Sequence, residues 1–326
     1  MSNVLVTGGA GYIGSHVCKS LKIKGYTPIV VDNLIYGHES AVKWGDFVKG
    51  DLLDKKFLDE LFIKYDFSSV IHLAAFAYVG ESVQDPAKYY NNNIIGAINL
   101  MNTMLENNVK KLIFSSTCST YGSPKNIPID ELHTQIPINP YGYSKLVVET
   151  ILKDYSRAYN FQYVVLRYFN AAGADPENEI GESHEPETHL IPLVIKAALD
   201  RKYTLKVFGD DYETNDGTAI RDYVHVSDLA DAHTLGLSKI ETSKESYEFN
   251  LGTGTGLSVM EIIKGVELVI KKKVKYKIME RREGDPPILI ADSSYANKIL
   301  GWSTNYSSPR NIIETAFNWH TKNKLN

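Results

Sequence analysis

The chain has 326 residues, enough for about two domains that each bury a core. Its 43% hydrophobic and 23% charged residues are typical of a soluble globular protein. A net charge of −4 argues against nucleic acid or an anionic membrane as the main partner, so we expect neither.

The chain has only two cysteines, Cys18 and Cys118, which are too few for a disulfide framework. The first residues contain neither a basic region nor a long apolar stretch. We therefore expect no signal peptide, no transmembrane span and a cytoplasmic location.

The first predicted strand, residues 3–7, leads into a glycine-rich turn with Gly8, Gly11 and Gly14, and a helical pattern begins near Ile13. Such glycines allow a tight turn, admit a pyrophosphate close to the backbone and let the helix pack closely on the strand. The N–H groups at the start of the helix then face the phosphates. This order of elements predicts a dinucleotide site.

The second predicted strand, residues 26–32, ends at Asp32. A carboxylate here can accept hydrogen bonds from both ribose hydroxyls and would repel a 2′-phosphate, so NAD is favoured over NADP. Asp51 ends the next predicted strand. It either meets the adenine edge or caps the helix that begins at Asp54.

Strands and helices alternate through the first half of the chain. The sequence predicts strands at residues 46–49, 69–75, 111–117 and 161–170, and helices at 54–64, 86–107 and 141–159. This alternation predicts an α/β fold with a doubly wound, Rossmann-type parallel sheet. His72 lies in an apolar run and is interpreted as a core histidine.

Ligands of such sheets bind at the carboxyl ends of the strands. The glycine turn, Ala74, Ala75, Thr117 and Tyr141 all fall at that end.

After residue 170 the loops become longer and strands and helices are mixed, which predicts a second, smaller α/β domain for the substrate. We expect an NAD-binding domain at residues 1–170, with returning segments at about 216–252, and a substrate domain at 171–326.

Tyr141 and Lys145 lie four residues apart at the start of the predicted helix 141–159, so they share one face. Lowering a phenol pKa from about 10 to about 7 takes roughly 4 kcal/mol. One cation about 5 Å away, at an effective dielectric constant of about 20, supplies roughly 3 kcal/mol. Lysine nearly suffices on this estimate, and a second cation would complete the shift. A surface tyrosine and lysine on an ordinary helix is the alternative interpretation.

Taken together, these residues resemble the extended short-chain dehydrogenase/reductase family, in particular its members that modify nucleotide sugars. The resemblance covers the whole chain. It is carried by residues 4–16, 79–83, 141–145, 167–170, 216–218, 221–226 and 281–285.

The resemblance implies that Tyr141 is the catalytic base, that Lys145 holds the nicotinamide ribose and lowers the tyrosine pKa, and that Thr117 bridges the sugar hydroxyl to the phenol. Oxidised NAD would be the second cation. The implied cofactor residues are Gly8, Gly11, Tyr12, Ile13, Gly14, Asp32, Asn33, Asp51, Leu52, Leu73, Ala74, Ala75, Asn92, Lys145 and Phe169. The implied substrate residues are Thr117, Tyr141, Asn170, His189, Leu190, Val207, Phe208, Arg221, Tyr223, Arg282, Asp285 and Leu289.

The implied reaction interconverts UDP-galactose and UDP-glucose at C4, through a 4-keto sugar and transient hydride transfer to tightly bound NAD. Arg221 and Arg282 would clamp the pyrophosphate. Four departures affect the site. Thr117 replaces the family's serine and keeps its hydroxyl. Ala77 replaces a lysine of some members, and His189 replaces a frequent asparagine. Leu289 is smaller than the tyrosine of other members, so UDP-GalNAc and UDP-GlcNAc are further candidate substrates.

Two alternatives use the same fold. Nucleotide-sugar dehydratases of the family place an Asp-Glu pair after the threonine, where this chain has Cys118 and Ser119. Neither can act as a carboxylic acid, so dehydration and decarboxylation are disfavoured. A non-catalytic dinucleotide sensor is the other alternative, but such proteins tend to lose the tyrosine or the lysine. The resemblance implies no metal, and implies a homodimer through the helices at 86–107 and 141–159.

Overall fold

The protein is described by a computed structural model that covers residues 2–282 and 285–322. Met1 and residues 323–326, at the ends of the two predicted domains, lie outside the described residues. So do Glu283 and Gly284 of the motif at 281–285.

The strands are β1 (Asn3–Thr7), β2 (Thr27–Asp32), β3 (Asp46–Lys49), β4 (Phe67–His72), β5 (Lys111–Thr117), β6 (Gln162–Tyr168), β7 (Asn170–Ala172), β8 (Leu205–Phe208), β9 (Ile220–Arg221), β10 (Tyr223–His225), β11 (Tyr247–Leu251), β12 (Leu257–Ser258), β13 (Tyr276–Met279) and β14 (Ile288–Leu289). The helices are α1 (Tyr12–Ile23), α2 (Lys55–Lys64), α3 (Val79–Gln84), α4 (Pro86–Tyr89), α5 (Gly96–Glu106), α6 (Pro140–Tyr159), α7 (Leu190–Leu199), α8 (Val226–Thr242), α9 (Val259–Ile270), α10 (Ser294–Leu300) and α11 (Pro309–Lys322).

Within the described residues, the largest sheet has seven parallel strands in the order β11-β6-β5-β4-β1-β2-β3. The chain builds outward from β1 through β2 and β3, and then outward on the other side from β4. The strand order therefore reverses between β1 and β4, and in open α/β sheets ligands bind at this switch point. The predicted doubly wound parallel sheet is confirmed.

Helices cover both faces of the sheet, because alternate side chains of its buried strands point to opposite faces. Val4 and Val6 pack with α1 and α8, including Leu21 and Leu237. Leu5 packs on the other face with residues of α2, α5 and α6. The amphipathic spacing of these helices therefore holds the sheet in the middle of three layers.

A second, smaller core lies outside the large sheet. Apolar residues of α7, α9 and α11, including Ile195, Ile262 and Ile312, pack with Val207 of β8. Three small sheets accompany this core: β10-β7, β12-β9-β14 and β13-β8. The prediction of a smaller mixed α/β part is confirmed.

Strand β4 ends earlier than the predicted strand 69–75. The backbone N–H groups of Leu73 and Ala74 both donate to the Thr7 carbonyl, at 3.0 and 3.1 Å. The chain therefore leaves the ladder with β5 after His72. His72 itself is buried and hydrogen-bonded to the Thr7 hydroxyl at 2.7 Å, as expected for a core histidine.

The predicted helix 86–107 is interrupted by a π-helical segment, Tyr90–Ile95, between α4 and α5. Asn93 explains the interruption. Its buried amide donates to the Phe76 carbonyl and the Ser144 hydroxyl, both at 3.0 Å, and accepts from the Phe76 N–H at 2.9 Å. The local widening therefore places a polar side chain against the loop after β4, and such bulges are frequent at functional sites.

Two further boundaries differ from the predictions. The predicted strand 161–170 ends at Tyr168, and Asn170 begins β7. The sequence also predicts Ser227 as the N-cap of a helix, but Ser227 lies inside α8, and the N-cap is His225, whose Nδ1 accepts from the Ser227 N–H at 3.1 Å. Among the helices that the structure describes, none combines the length and apolarity needed to cross a membrane.

Candidate active site

The turn after β1 requires glycine, and without side chains there a ligand can approach the turn's backbone closely. Gly8 has φ +73°, and a Cβ there would lie 2.6 Å from the Ala74 nitrogen. A Cβ on Gly14 would overlap the Gly8 carbonyl oxygen. Helix α1 begins after Gly11 with no side-chain cap, so the N–H groups of its first turn remain available to an anion. This cradle fits the pyrophosphate of a dinucleotide.

Asp32 ends β2 with its carboxylate held in place. Its Oδ2 accepts from the Ala10 N–H at 3.1 Å and its Oδ1 from the Leu34 N–H at 2.9 Å. Each oxygen keeps a further lone pair for a ribose hydroxyl. Burial raises the pKa of Asp32, and the two N–H groups oppose that shift. The acid and the glycine cradle together fit the adenosine half of NAD.

Asp51 does not cap the following helix, so that alternative is wrong. Asp54 is the N-cap of α2 and accepts from the Phe57 N–H at 3.1 Å. The Oδ2 of Asp51 instead accepts from Asn33 at 2.9 Å. The two residues thereby link the ends of β2 and β3 beside Asp32, where an adenine edge could meet them.

Tyr141 and Lys145 lie on the first two turns of α6 and are both buried, at 7% and 4% exposure, so the surface interpretation of this pair is wrong. The Lys145 ammonium donates to the Ser115 carbonyl at 2.8 Å and lies 4.8 Å from the centre of the Phe114 ring. Helix α6 begins at the N-cap Asn139, whose Oδ1 accepts from the Gly142 N–H at 2.8 Å. The lysine is therefore fixed against β5, beside the threonine that ends that strand.

The electrostatics of the pair differ from the sequence estimate. Burial raises the pKa of Tyr141 well above 10, Tyr168 adds to the rise, and the Thr117 hydroxyl opposes it. Burial also lowers the pKa of Lys145 to about 7, and Glu149 opposes that shift. Desolvation thus outweighs the attraction that the spacing suggested, and the chain alone does not bring the phenol to a neutral pKa.

The residues after Thr117 exclude acid chemistry at that position. Cys118 is buried, and burial raises the pKa of its thiol to about 12. The Ser119 N–H donates to the Thr117 hydroxyl at 3.1 Å. A neutral thiol and a serine cannot shuttle the protons that a dehydration needs.

Two arginines lie on the substrate side. Arg221 forms an ion pair with Asp285, and its Nη1 donates to the Ile220 carbonyl at 2.8 Å. The Arg282 guanidinium lies 4.1 Å from the centre of the Phe208 ring. Arginine on an aromatic ring keeps its donors free for a phosphate or a base edge.

His189 is the N-cap of α7 and lies beside two glutamates. Its Nδ1 is 2.6 Å from Glu182 Oε1 and 3.2 Å from Glu187 Oε1. Burial alone would lower the pKa of His189, but Glu182 and Glu187 outweigh it and raise the pKa to about 10.

A single cleft of about 1320 Å³ brings the predicted residues together. Its lining includes every predicted catalytic, cofactor and substrate residue: Gly8, Gly11, Tyr12, Ile13, Gly14, Asp32, Asn33, Asp51, Leu52, Leu73, Ala74, Ala75, Asn92, Thr117, Tyr141, Lys145, Phe169, Asn170, His189, Leu190, Val207, Phe208, Arg221, Tyr223, Arg282, Asp285 and Leu289.

Sequence reasoning missed several residues of this cleft. Tyr168 lies next to Tyr141, and Glu182, His184 and Glu187 line the cleft from a segment predicted only as loop. The spacing Glu-x-His-x-x-Glu-x-His at 182–189 was the signal available in the sequence.

The fold and the cleft define a dinucleotide-dependent enzyme that acts on a second ligand held beside a buried tyrosine. The family model "NAD dependent epimerase/dehydratase family" matches residues 4–252. The chain belongs to this family, which confirms the class inferred from its motifs.

Individual relatives show which enzymes of this family the chain is similar to. The chain is 51% identical to the UDP-glucose 4-epimerase of Rhizobium meliloti (strain 1021), over 98% of each chain. It superposes on the crystal structure of UDP-glucose 4-epimerase from Brucella ovis in complex with NAD with a TM-score of 0.95, at 52% identity over 97% of this chain and 98% of that one. It also superposes on the crystal structure of UDP-glucose 4-epimerase from Bifidobacterium longum in complex with NAD+ and UDP, with a TM-score of 0.94 and 40% identity over 99% of each chain.

Proposed function

We propose that the chain interconverts UDP-galactose and UDP-glucose by inverting C4 of the sugar, with NAD as its tightly bound cofactor. The observation that carries this proposal is the cleft. It joins a dinucleotide cradle, the buried Tyr141 and Lys145, and the two arginines of a diphosphate site. The named relatives, matched along nearly their whole length, have this activity.

The chain's own residues hold the cofactor at several points. The Gly8–Gly14 turn and the first turn of α1 would receive its pyrophosphate, Asp32 would hold its adenosine ribose and Lys145 its nicotinamide ribose. The chemistry that bound NAD supplies is the reversible two-electron oxidation of a secondary alcohol.

Tyr141 and Thr117 handle the proton of the sugar 4-hydroxyl. The Thr117 hydroxyl interacts with the phenol and can relay a proton to it. Burial keeps the phenol protonated, so its deprotonation needs a positive charge close by. Lys145 lies one turn further along α6, and with a pKa of about 7 it is the chain's own candidate for that charge near neutral pH. The protonation states of Tyr141 and Lys145 therefore depend on the charges of the other groups bound in the site.

The diphosphate is the fixed point of the substrate in this proposal. Arg221 and Arg282 would bind it, and Asn170 and Tyr223 line the same cleft as the two arginines and Tyr141. The sugar can then turn about its diphosphate and present either face of C4 to the same tyrosine. A 4-keto sugar held in this way explains inversion without a second base.

The test is proton NMR of purified protein with UDP-galactose. We expect UDP-glucose to form until the two sugars reach equilibrium, without added NAD, because the cofactor copurifies. Appearance of a 6-deoxy-4-keto sugar would instead indicate a dehydratase. Absence of any turnover, with NAD supplied, would favour a dinucleotide sensor.

We further propose that N-acetylated UDP-sugars are accepted. Leu289 lines the cleft on β14, beside Arg221 of the neighbouring β9, and leaves room that a tyrosine would fill. Leu289→Tyr should abolish turnover of UDP-GalNAc and retain that of UDP-galactose. If the wild-type protein leaves UDP-GalNAc and UDP-GlcNAc unchanged, this extension is wrong.

We also propose the domain division 1–170 with 216–252 for the cofactor and 171–326 for the UDP-sugar. The position of β11 in the large sheet and of α8 against α1 supports the returning segments. Limited proteolysis tests the boundary. Bound cofactor should protect the first part and UDP the second.

A homodimer through α4–α5 and α6 is supported by exposed apolar side chains on those elements. Ile95 is 45% exposed, and the exposed rings of Tyr90 and Tyr143 contact each other edge-on. Light scattering should give twice the 36.5 kDa mass of the chain, and Ile95→Asp should shift it toward one chain. A monomer in the wild type would contradict the proposal.

We propose a cytoplasmic location, supported by the two cysteines, Cys18 and Cys118, which remain free thiols. Fractionation of the native cells should place the protein with cytoplasmic markers.

A further inference from the structure

Two glutamates and two histidines lie close together on one short segment of the cleft wall. This 182–189 cluster consists of Glu182, His184, Glu187 and His189, and one ligand atom from each lies within 4.8 Å of all the others. Glu182 Oε1 is 3.1 Å from His184 Nδ1 and 2.6 Å from His189 Nδ1. Glu187 oxygens are 3.9 and 3.2 Å from the same two nitrogens. All four side chains therefore aim at one point.

The backbone of this segment is held by side chains from elsewhere in the fold. His38 Nε2 lies 2.8 Å from the Ser183 carbonyl, Tyr78 donates to the Pro186 carbonyl at 3.3 Å, and Trp319 donates to the Glu182 carbonyl at 2.8 Å. The convergence is thus supported by three other parts of the chain. Such support preorganises a binding site.

From this convergence we propose that the 182–189 cluster binds one divalent transition-metal cation, with zinc the best match. Two imidazole nitrogens and two carboxylate oxygens are ligands that zinc takes in four-coordinate sites, and two carboxylates neutralise its charge. Ligand atoms at about 2.0–2.2 Å from one tetrahedral ion lie roughly 3.4 Å apart. The nitrogen–oxygen distances here, which involve both carboxylate oxygens of Glu187, run from 2.6 to 3.9 Å and so lie on both sides of that value.

A second acidic group in the chain shows the contrast. Asp175, Glu177 and Glu179 also bring their carboxylates together, but the Lys19 ammonium lies within 2.7 to 2.8 Å of all three. The chain supplies the cation there. In the 182–189 cluster the nitrogens nearest the carboxylates belong to the imidazoles of His184 and His189, which give up a proton when they bind a metal and then act as ligands.

A bound cation would have a structural role at this side of the cleft. Its four ligands span eight residues that end at the N-cap of α7, directly before Leu190. A bound ion would fix this wall of the cleft and with it His189, which the sequence assigns to the substrate. This site departs from the sequence expectation of no metal.

The experiment measures metal in tag-free protein, grown with supplemental zinc and dialysed, by inductively coupled plasma mass spectrometry. We expect about one divalent transition metal per chain, mainly zinc, in the wild type. His184→Ala and His184→Gln should lose most of it. Glu177→Gln, which changes the cluster neutralised by Lys19, should retain it.

A second measurement does not depend on the variants. Wild-type protein stripped with a chelator should take up one Co²⁺ per chain, with visible absorption typical of a four-coordinate ion, and should regain thermal stability. The proposal is overturned if the wild type holds no stoichiometric metal and takes up no Co²⁺, or if both His184 variants bind metal like the wild type.

Discussion

The phenol of Tyr141 lies in a buried pocket with Phe76 and Tyr89, and its chemistry depends on that burial. The spacing to Lys145 could be read from the sequence, as could the hydroxyl of Thr117. The direction of the pKa shifts could not, because desolvation depends on the elements that cover α6. The chain's own residues therefore favour a protonated phenol at Tyr141 and lower the pKa of Lys145 to about 7.

Tyr141→Phe is the first prediction at this scale. Removing the hydroxyl should lower kcat by at least about 10²-fold, the usual minimum contribution of a positioned general acid or base. Folding and NAD binding should persist. Tyr143→Phe is the matched control, because Tyr143 is on the same helix and 51% exposed, and it should keep full activity. A Tyr141→Phe protein with wild-type kcat would rule out this proton path.

The second prediction concerns the buried ion pair of Arg167 and Glu149, whose side chains are both 0% exposed. Arg167 Nη2 lies 2.7 Å from Glu149 and 2.5 Å from Glu248, and the Ser116 hydroxyl also donates to Glu149. Glu149→Gln leaves the arginine with less charge to balance it. It should lower the free energy of unfolding by about 3–5 kcal/mol.

Urea denaturation measures this loss. Asp154→Asn is the control, because it breaks the exposed pair with Arg157 and should cost about 1 kcal/mol or less. Equal losses in the two variants would show that the buried network contributes nothing beyond a surface pair.

Among the elements, helix α6 shows what local sequence determines. The sequence predicted this helix at 141–159, and the structure has it at Pro140–Tyr159, with Asn139 as the N-cap and Pro140 in the first turn. The local sequence did not predict the interruption of the helix expected at 86–107. Its π-helical segment contains Asn93, whose side chain bonds to the backbone of Phe76, 17 residues away in the sequence and outside the helix.

Asn139→Ala gives a prediction at the scale of the element. Loss of the 2.8 Å bond to the Gly142 N–H should lower the free energy of unfolding by about 1 kcal/mol. Asn139→Ser keeps a capping oxygen and should lose only a fraction of that. Thermal or urea denaturation of the two variants compares them. A Ser variant as unstable as the Ala variant would show that the cap is not the cause.

For the molecule as a whole, most of the large sheet could be predicted, because its buried parallel strands are apolar runs followed by helices. The return of the chain to form β11 beside β6 was expected only as an approximate segment, since strand neighbours depend on tertiary packing. The glycine turn, Asp32 and Thr117 could be placed in the cleft because they follow predicted strands, whereas the substrate residues were implied by the family resemblance. The 182–189 cluster could not, because an irregular segment has no period from which to place its side chains.

Acid sensitivity is a property of the whole molecule. Burial lowers the pKa of His16 and His233 to about 4, and that of His72 and His225 to about 3. Below about pH 6.5 the unfolded chain binds protons that the folded chain excludes, so stability present above pH 6.5 is lost as the pH falls toward 4. Each proton that only the unfolded chain binds lowers the free energy of unfolding by about 1.4 kcal/mol for every pH unit of acidification.

Urea denaturation at pH values from 7.5 to 5 measures this slope. His233→Gln removes one of the four histidines and should flatten the slope by about one proton, whatever its effect at neutral pH. A free energy of unfolding that stays constant between pH 6.5 and 5 would contradict the assignment of neutral buried histidines.

In the proposed reaction, C4 of the sugar is oxidised and then reduced within one site. The most direct measurement incubates the protein with UDP-[4-²H]galactose in ordinary water and examines the UDP-glucose formed by NMR and mass spectrometry. We predict that deuterium is retained at C4 of the product, because the hydrogen removed there is returned to the same carbon. Replacement of the label by solvent hydrogen, or formation of UDP-glucose labelled at another carbon, would contradict the account.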